Sequence, residues 1–121
     1  MASQQELHWV PNGNVTTPAG FRASGVAAGL KASSALDLCL LYSTPPAKVA
    51  GAFTPHPLAA APVLFDKELV NQQSPIHAVV ANSGNANACT GKNGLADTGH
   101  IAERTGSLLD VDWSSVLVCS T

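Results

Sequence analysis

Charge is what this chain has least of. Only 12 % of its 121 residues are charged, half the usual share of about 25 %. Six Lys+Arg against eight Asp+Glu leave a formal net charge of -2. With 45 % apolar residues, a chain this poor in charge is neither disordered nor a coiled coil. A pI near 6.0 and few basic residues argue against a surface for nucleic acid or for an anionic membrane. The exterior is therefore covered by small polar residues, or much of it is an interface with other polypeptide. Either way, 121 residues suit one domain or a piece of a larger one.

Cysteine is scarce too. Cys39, Cys89 and Cys119 are odd in number and widely spaced, with no CxxC or CxH pair. That excludes a disulfide framework and a zinc site, and their apolar neighbours predict three small buried hydrophobes. His8, His56, His77 and His100 lie far apart, none at helix-face spacing, so no metal site is expected. His77 reads as an interior histidine and His56, between two prolines, as a loop residue. No apolar run approaches the roughly 20 residues of a membrane span. Met1-Ala2-Ser3-Gln4-Gln5-Glu6 has neither the basic cluster nor the apolar run of a secretion signal. The expected location is cytoplasmic. Asn14-Val15-Thr16 then matches the glycosylation pattern by chance. There is no repeat, no low-complexity segment and no GxGxxG.

What is present reads as strands first. Pro11, Asn12-Gly13, Pro18 and Gly20 make residues 1–20 an irregular lead-in. Residues 21–29, rich in small side chains, predict a strand whose glycines permit bulges or close approach. Leu36 to Tyr42 predicts a second, closed by a turn at Ser43-Thr44-Pro45-Pro46. Lys48 to Thr54 predicts a third, and the three suggest antiparallel pairing. Pro62 to Leu69 reads as a strand passing into one helical turn. Ile76 to Ala81, bounded by Pro75 and Asn82-Ser83-Gly84, predicts a buried strand.

Asn93 is positioned to cap a helix starting at Gly94, with Asp97 in its first turn. Thr98, Ile101, Ala102, Thr105, Leu108 and Leu109 recur on one face of that helix. Gly99 and Gly106 each cost it about 1 kcal/mol against Ala, which predicts close packing there. Trp113 to Cys119 predicts a last, buried strand. The chain then stops two residues later with nothing to cover it, so the sequence reads as a fragment.

Chemistry-bearing motifs are few. Ala86-Asn87-Ala88-Cys89-Thr90-Gly91-Lys92-Asn93 is a near miss to a phosphate-binding loop, with Ala for the first Gly and Asn for the terminal Ser/Thr. The Mg²⁺ hydroxyl and the first glycine's freedom are missing, so a nucleotide is not expected. The densest local signal is Asn82-Ser83-Gly84-Asn85-Ala86-Asn87-Ala88-Cys89-Thr90-Gly91. Three Asn and two Gly after a buried strand specify a loop held by side-chain-to-backbone hydrogen bonds. It is either a structural turn feeding the helix or part of a site at a strand's carboxyl end.

That ten-residue string, with Gly94-Leu95-Ala96-Asp97 after it, closely resembles a signature of the ornithine acetyltransferase family, the bifunctional arginine-biosynthesis proteins called ArgJ. So do the stretches Pro18 to Lys31, Ala50 to Thr54, Ala60 to Leu64 and Val116 to Thr121, in order along the chain. The resemblance implies an α/β layered sandwich like that of DmpA-type aminopeptidases. Here it would be incomplete, with mostly antiparallel strands and one clear helix; residues 21–121 would be the truncated N-terminal part of the α-chain domain.

It further implies transfer of an acetyl group from N-acetylornithine to glutamate, with acetyl-CoA as a co-substrate in some members and no resident cofactor or metal. The family's precursor cuts itself at an Ala-Thr bond within Met-Ala-Thr-Met-Leu. The freed N-terminal Thr of the β chain is the nucleophile of an α₂β₂ particle. This sequence holds no such motif. Of the family's functional residues only Thr121 is matched, as an oxyanion-hole hydroxyl; the Gly that follows it in the family is absent. The partners implied are the remainder of the α chain, the β chain and the two amino-acid substrates. A self-processing aminopeptidase of the same fold is a second reading. A non-catalytic fragment that binds polypeptide through exposed strand edges is a third.

Overall fold

The computed structural model describes residues 7–121, so the first six residues of the lead-in lie outside the described residues. Four strands form one sheet in the order β1-β2-β3-β4: β1 (Phe21–Val26), β2 (Leu38–Ala47), β3 (Ile76–Asn82) and β4 (Val116–Ser120). The pairs β1/β2 and β2/β3 are antiparallel, as expected. The pair β3/β4 is parallel, because α2 (Gly91–Leu109) carries the chain back across the sheet between them. Alternation decides the core. Ala78 and Val80 of β3 and Val116 and Val118 of β4 point to the same side, where Ala102 of α2 meets them, all buried.

Helix α2 comes close because its buried stripe is small: Gly94, Thr98, Ala102 and Gly106, each four residues apart. A Cβ at Gly106 would stand 2.7 Å from the Val111 carbonyl oxygen, so only glycine lets the chain turn back there. The predicted face is thus shifted: Leu108 is exposed, and nothing stands within 4 Å of a Cβ at Gly99. The helix also starts a turn earlier than Asn93 predicts. Thr90 is its N-cap residue, and Asp97 lies in the second turn.

Four other expectations are corrected. Pro62 to Leu69, read as strand into a helical turn, lies within the helix α1 (Ala61–Asn71), so the described residues hold two α-helices rather than one. Pro62 sits in its first turn, where the missing N–H costs no bond. Phe65 packs against the core and lies 6.1 Å, centroid to centroid, from the Trp113 ring. Pro45-Pro46 does not end β2. Two prolines cannot donate to the ladder, so pairing lapses between Tyr42 and Ala47 and resumes at Ala47↔Ile76. The length read as a separate strand at 48–54 is not one. At the far end, Trp113–Ser115 is a 3₁₀ turn rather than strand, closed by Asp112, whose carboxylate accepts from the Ser114 N–H at 2.8 Å.

The sheet's second face explains the cysteines. Two rows cross β2, β3 and β4, Leu41–Val79–Leu117 and Cys39–Ala81–Cys119. None of the six is buried, and all three cysteines of the chain, Cys89 included, are exposed rather than interior. Apolar neighbours predict burial only where a second layer covers them, and among the described residues none covers this face. His77, half-buried at its edge, donates from Nδ1 to the Ser43 carbonyl at 2.9 Å and stacks on Tyr42. It serves structure there.

Candidate functional site

The parallel strands β3 and β4 end together, and the Asn-rich loop leaves from the end of β3. In open α/β sheets this is where ligands gather. A cleft of about 330 Å³ opens beside it, floored by Leu38, Val80 and Val118 and rimmed by Asn82, Asn87, Asp97 and Ser120. Thr121, the residue singled out by the resemblance, is exposed at the tip of β4. Its backbone is tied on both sides. The Thr121 N–H donates to the Asn82 carbonyl at 3.1 Å, and the Thr121 carbonyl accepts from the N–H groups of Gly84 at 2.8 Å and Asn85 at 3.2 Å. Continuing the alternation of β4 puts the Thr121 side chain on the Cys119 side, the uncovered face of the sheet.

The loop divides in two by what it touches. Its first half serves the strand end: Asn82 Oδ1 accepts from the Ser120 hydroxyl at 2.6 Å, and Asn82 Nδ2 donates to the Asn85 carbonyl at 3.0 Å. Its second half serves α2. Asn87 Nδ2 donates to the Gly94 carbonyl at 2.8 Å and to the Thr98 hydroxyl at 3.0 Å, and its Oδ1 accepts from the Thr90 hydroxyl. The strand–loop–helix context of a phosphate loop exists, but the amides at 84 and 85 are turned to Thr121.

Two carboxylates near this end carry weight that the sequence did not reveal. Asp37, buried at the start of β2, accepts three backbone N–H bonds: from Ala28 and Leu30 at 2.6 Å each and from Lys31 at 2.8 Å. The Lys31 bond first, then that of Ala28, holds its carboxyl below the ordinary 3.8. Its own carbonyl accepts from the Ser83 N–H at 2.8 Å, so the loop before β2 is fastened to the Asn-rich loop. The available signal was a lone acid within the apolar run from Leu36 to Tyr42.

Asp66, on α1, accepts from the Val118 N–H of the edge strand β4 at 2.9 Å. Burial pushes its carboxyl up to about 6, although the Val118 bond pulls the other way. An acid whose folded value exceeds its unfolded one weakens the fold as pH rises from 3.8 through about 6. Asp66→Asn keeps an oxygen for Val118 without a buried charge. The variant's melting temperature, relative to the parent protein, should rise between pH 4 and pH 7.5 (both roughly chosen to bracket the titration). A difference that does not change with pH would contradict this account.

Among the described residues no three of His, Cys, Asp and Glu come together to hold a metal ion, and no helix is long and apolar enough to cross a membrane.

A family model described as "ArgJ family" matches residues 22–121. The chain belongs to the ArgJ family. The arginine biosynthesis bifunctional protein ArgJ of Mycobacterium tuberculosis is 49 % identical over 114 residues, which cover 88 % of this chain and 28 % of that protein. ArgJ 1 of Clostridium acetobutylicum is 46 % identical over 110 residues, 91 % of this chain and 27 % of its own length. The crystal structure of ornithine acetyltransferase from M. tuberculosis, complexed with ornithine, superposes with a TM-score of 0.84 at 48 % identity, covering 88 % of this chain and 58 % of that one. ArgJ from Bacillus halodurans gives 0.87 at 33 %, covering 93 % and 58 %. The α/β fold is therefore that of ArgJ proteins. This chain spans little more than a quarter of the curated relatives it matches. The same share of it fills 58 % of the solved M. tuberculosis chain but 28 % of the whole relative, so that solved chain is about half the relative's length.

Proposed function

We propose that this ArgJ chain is the N-terminal part of the α chain of an acetyltransferase that moves an acetyl group from N-acetylornithine to glutamate. A second reactant, acetyl-CoA, serves as an alternative acetyl donor, and no resident cofactor is needed. The nucleophile is the N-terminal Thr of a β chain released by self-cleavage. Its hydroxyl, served by its own α-amine, attacks the acetyl carbonyl; ornithine leaves with the proton, and the glutamate amine takes the acetyl group from the Thr ester. Thr121 donates a hydrogen bond to the oxygen that becomes negative in both halves of that exchange. The reaction takes place in the cytoplasm.

The observation that carries the reading is the match of residues 22–121 to the ArgJ family, with the Thr121 backbone tied at the end of β4 to Asn82, Gly84 and Asn85. Self-cleavage is supported by the half-length solved chain. The uncovered rows Leu41–Val79–Leu117 and Cys39–Ala81–Cys119 support a second layer built from the rest of the α chain and the β chain, within an α₂β₂ particle.

The test is direct. The full-length protein, incubated with N-acetylornithine and glutamate, should resolve into two chains and form N-acetylglutamate. The 121-residue chain alone should show no turnover above the uncatalysed rate, because it lacks the nucleophile. Turnover by that chain would refute the reading, as would hydrolysis of peptides without acetyl transfer by the full protein, the behaviour of a self-processing aminopeptidase.

A further inference from the structure

We propose that Lys31 binds the α-carboxylate that both amino-acid substrates carry, and so selects them at the tip of β4; this rests on the function proposed above. Three contacts place the residue. The Lys31 N–H donates to the buried Asp37 carboxylate at 2.8 Å, which fixes the root of the side chain. From that root the stem crosses the turn after β3. A Cβ at Gly84 would stand 2.9 Å from Lys31 Cγ, so the stem lies where another residue would put its side chain. The N–H of the same glycine donates to the Thr121 carbonyl at 2.8 Å. Lys31 and Thr121 thus meet on Gly84, although most of the chain separates them in sequence.

Its charge is available. Lys31 Nζ donates to the Leu36 carbonyl at 3.4 Å, a long bond to a neutral oxygen that uses one of an ammonium's three donors. The Asp37 carboxylate is engaged by the N–H groups of Ala28, Leu30 and Lys31 rather than by the ammonium. With six basic residues in all, the chain has few cations to offer a substrate, and this one is held on the turn that ties Thr121. The group that matches a lysine ammonium best is a carboxylate. N-acetylornithine and glutamate differ in side chain and in acetylation of the α-nitrogen, but both carry a carboxylate beside that nitrogen. A residue that binds the shared group serves both halves of the exchange.

The experiment uses the full-length protein as parent, Lys31→Met, Lys31→Arg and Thr121→Ala, with glutamate, N-acetylornithine and the α-carboxamide of N-acetylornithine. Met keeps an unbranched stem over Gly84 and removes the charge. Losing a hydrogen bond between charged groups should raise KM for N-acetylornithine and for glutamate by about tenfold to about a hundredfold. Binding lost equally from ground and transition states leaves kcat within a few-fold of the parent. The parent's preference for the carboxylate over the carboxamide should fall by the same factor as KM rises, which a purely structural role would not change. Self-cleavage involves no free substrate and should be spared. Lys31→Arg, which keeps the charge, should retain most of the preference.

If Lys31→Met does not fold, Lys31→Gln takes its place. An unchanged preference for the carboxylate in the uncharged variant, beside a severe Thr121→Ala, would overturn this proposal and spare the reading of Thr121. So would a joint fall in melting temperature, self-cleavage and kcat with the preference intact, the mark of a stem that only supports the turn. If the full-length protein forms no N-acetylglutamate, the proposed function fails and this inference fails with it.

Discussion

Thr121→Ala in the full-length protein should slow self-cleavage and acetyl transfer together, each by about 10²–10³ in rate. A Thr closing a buried strand is ordinarily a β-former whose hydroxyl is satisfied locally. Here the family resemblance sets Thr121 apart, and its backbone is fixed at the end of β4 by Asn82, Gly84 and Asn85. Both reactions add a nucleophile to a carbonyl and put negative charge on its oxygen, so one lost donor injures both. Deleting one hydroxyl and one methyl removes few atoms, so the melting temperature should hardly move. Thr121→Ser, which keeps the hydroxyl, should retain most of the rate. Correctly folded Thr121→Ala protein that matures and turns over within a few-fold of the parent would show that the hydroxyl has another role.

How much of this was legible in the sequence depends on the range of each interaction. Elements written in local pattern were legible. A β-branched, apolar run between Pro75 and Asn82 located β3, and the recurrence of Thr98, Ala102 and their neighbours located α2, although Asn93 was the wrong cap. Where a proline pair sat inside a strand, or a helix carried little amphipathic contrast, local pattern misled. Pro45-Pro46 suspends pairing without ending β2, and α1 buries only Ala61, Pro62 and Leu69 outright.

The cysteines misled for another reason. Apolar surroundings mark a residue for burial without saying in which chain segment its cover lies. The Asn-rich string was recognisable as a hydrogen-bonded loop. Its targets were not, because the bonds from Asn82 to Ser120 and from Gly84 to Thr121 join segments nearly forty residues apart. Thr121 stood out by family resemblance alone.

Among the substitutions named here, Asp37→Asn should cause the largest fall in melting temperature. The Asp37 carboxylate is 3 % exposed and receives the N–H groups of Ala28, Leu30 and Lys31. An amide has one acceptor oxygen, so in the variant an N–H of the loop faces a side-chain NH₂, and a buried donor is left without a partner. Gly29, at φ +89°, lets the chain wrap the carboxylate.

The sign of the pH dependence follows from the depressed folded value. The stabilisation is fully present above the unfolded 3.8 and is lost as pH falls through the lower folded value, an acid limb opposite in direction to that of Asp66. Asp37→Asn should flatten that limb. The damage should also reach the site. The Asp37 carbonyl holds the Ser83 N–H, and Lys31 lies against Gly84, so loosening residues 28–31 loosens the turn that fixes Thr121. Acetyl transfer should then fall even at temperatures where the variant stays folded. An Asp37→Asn protein that melts with the parent at neutral pH and keeps its acid limb would mean that some other group ties this loop to the sheet.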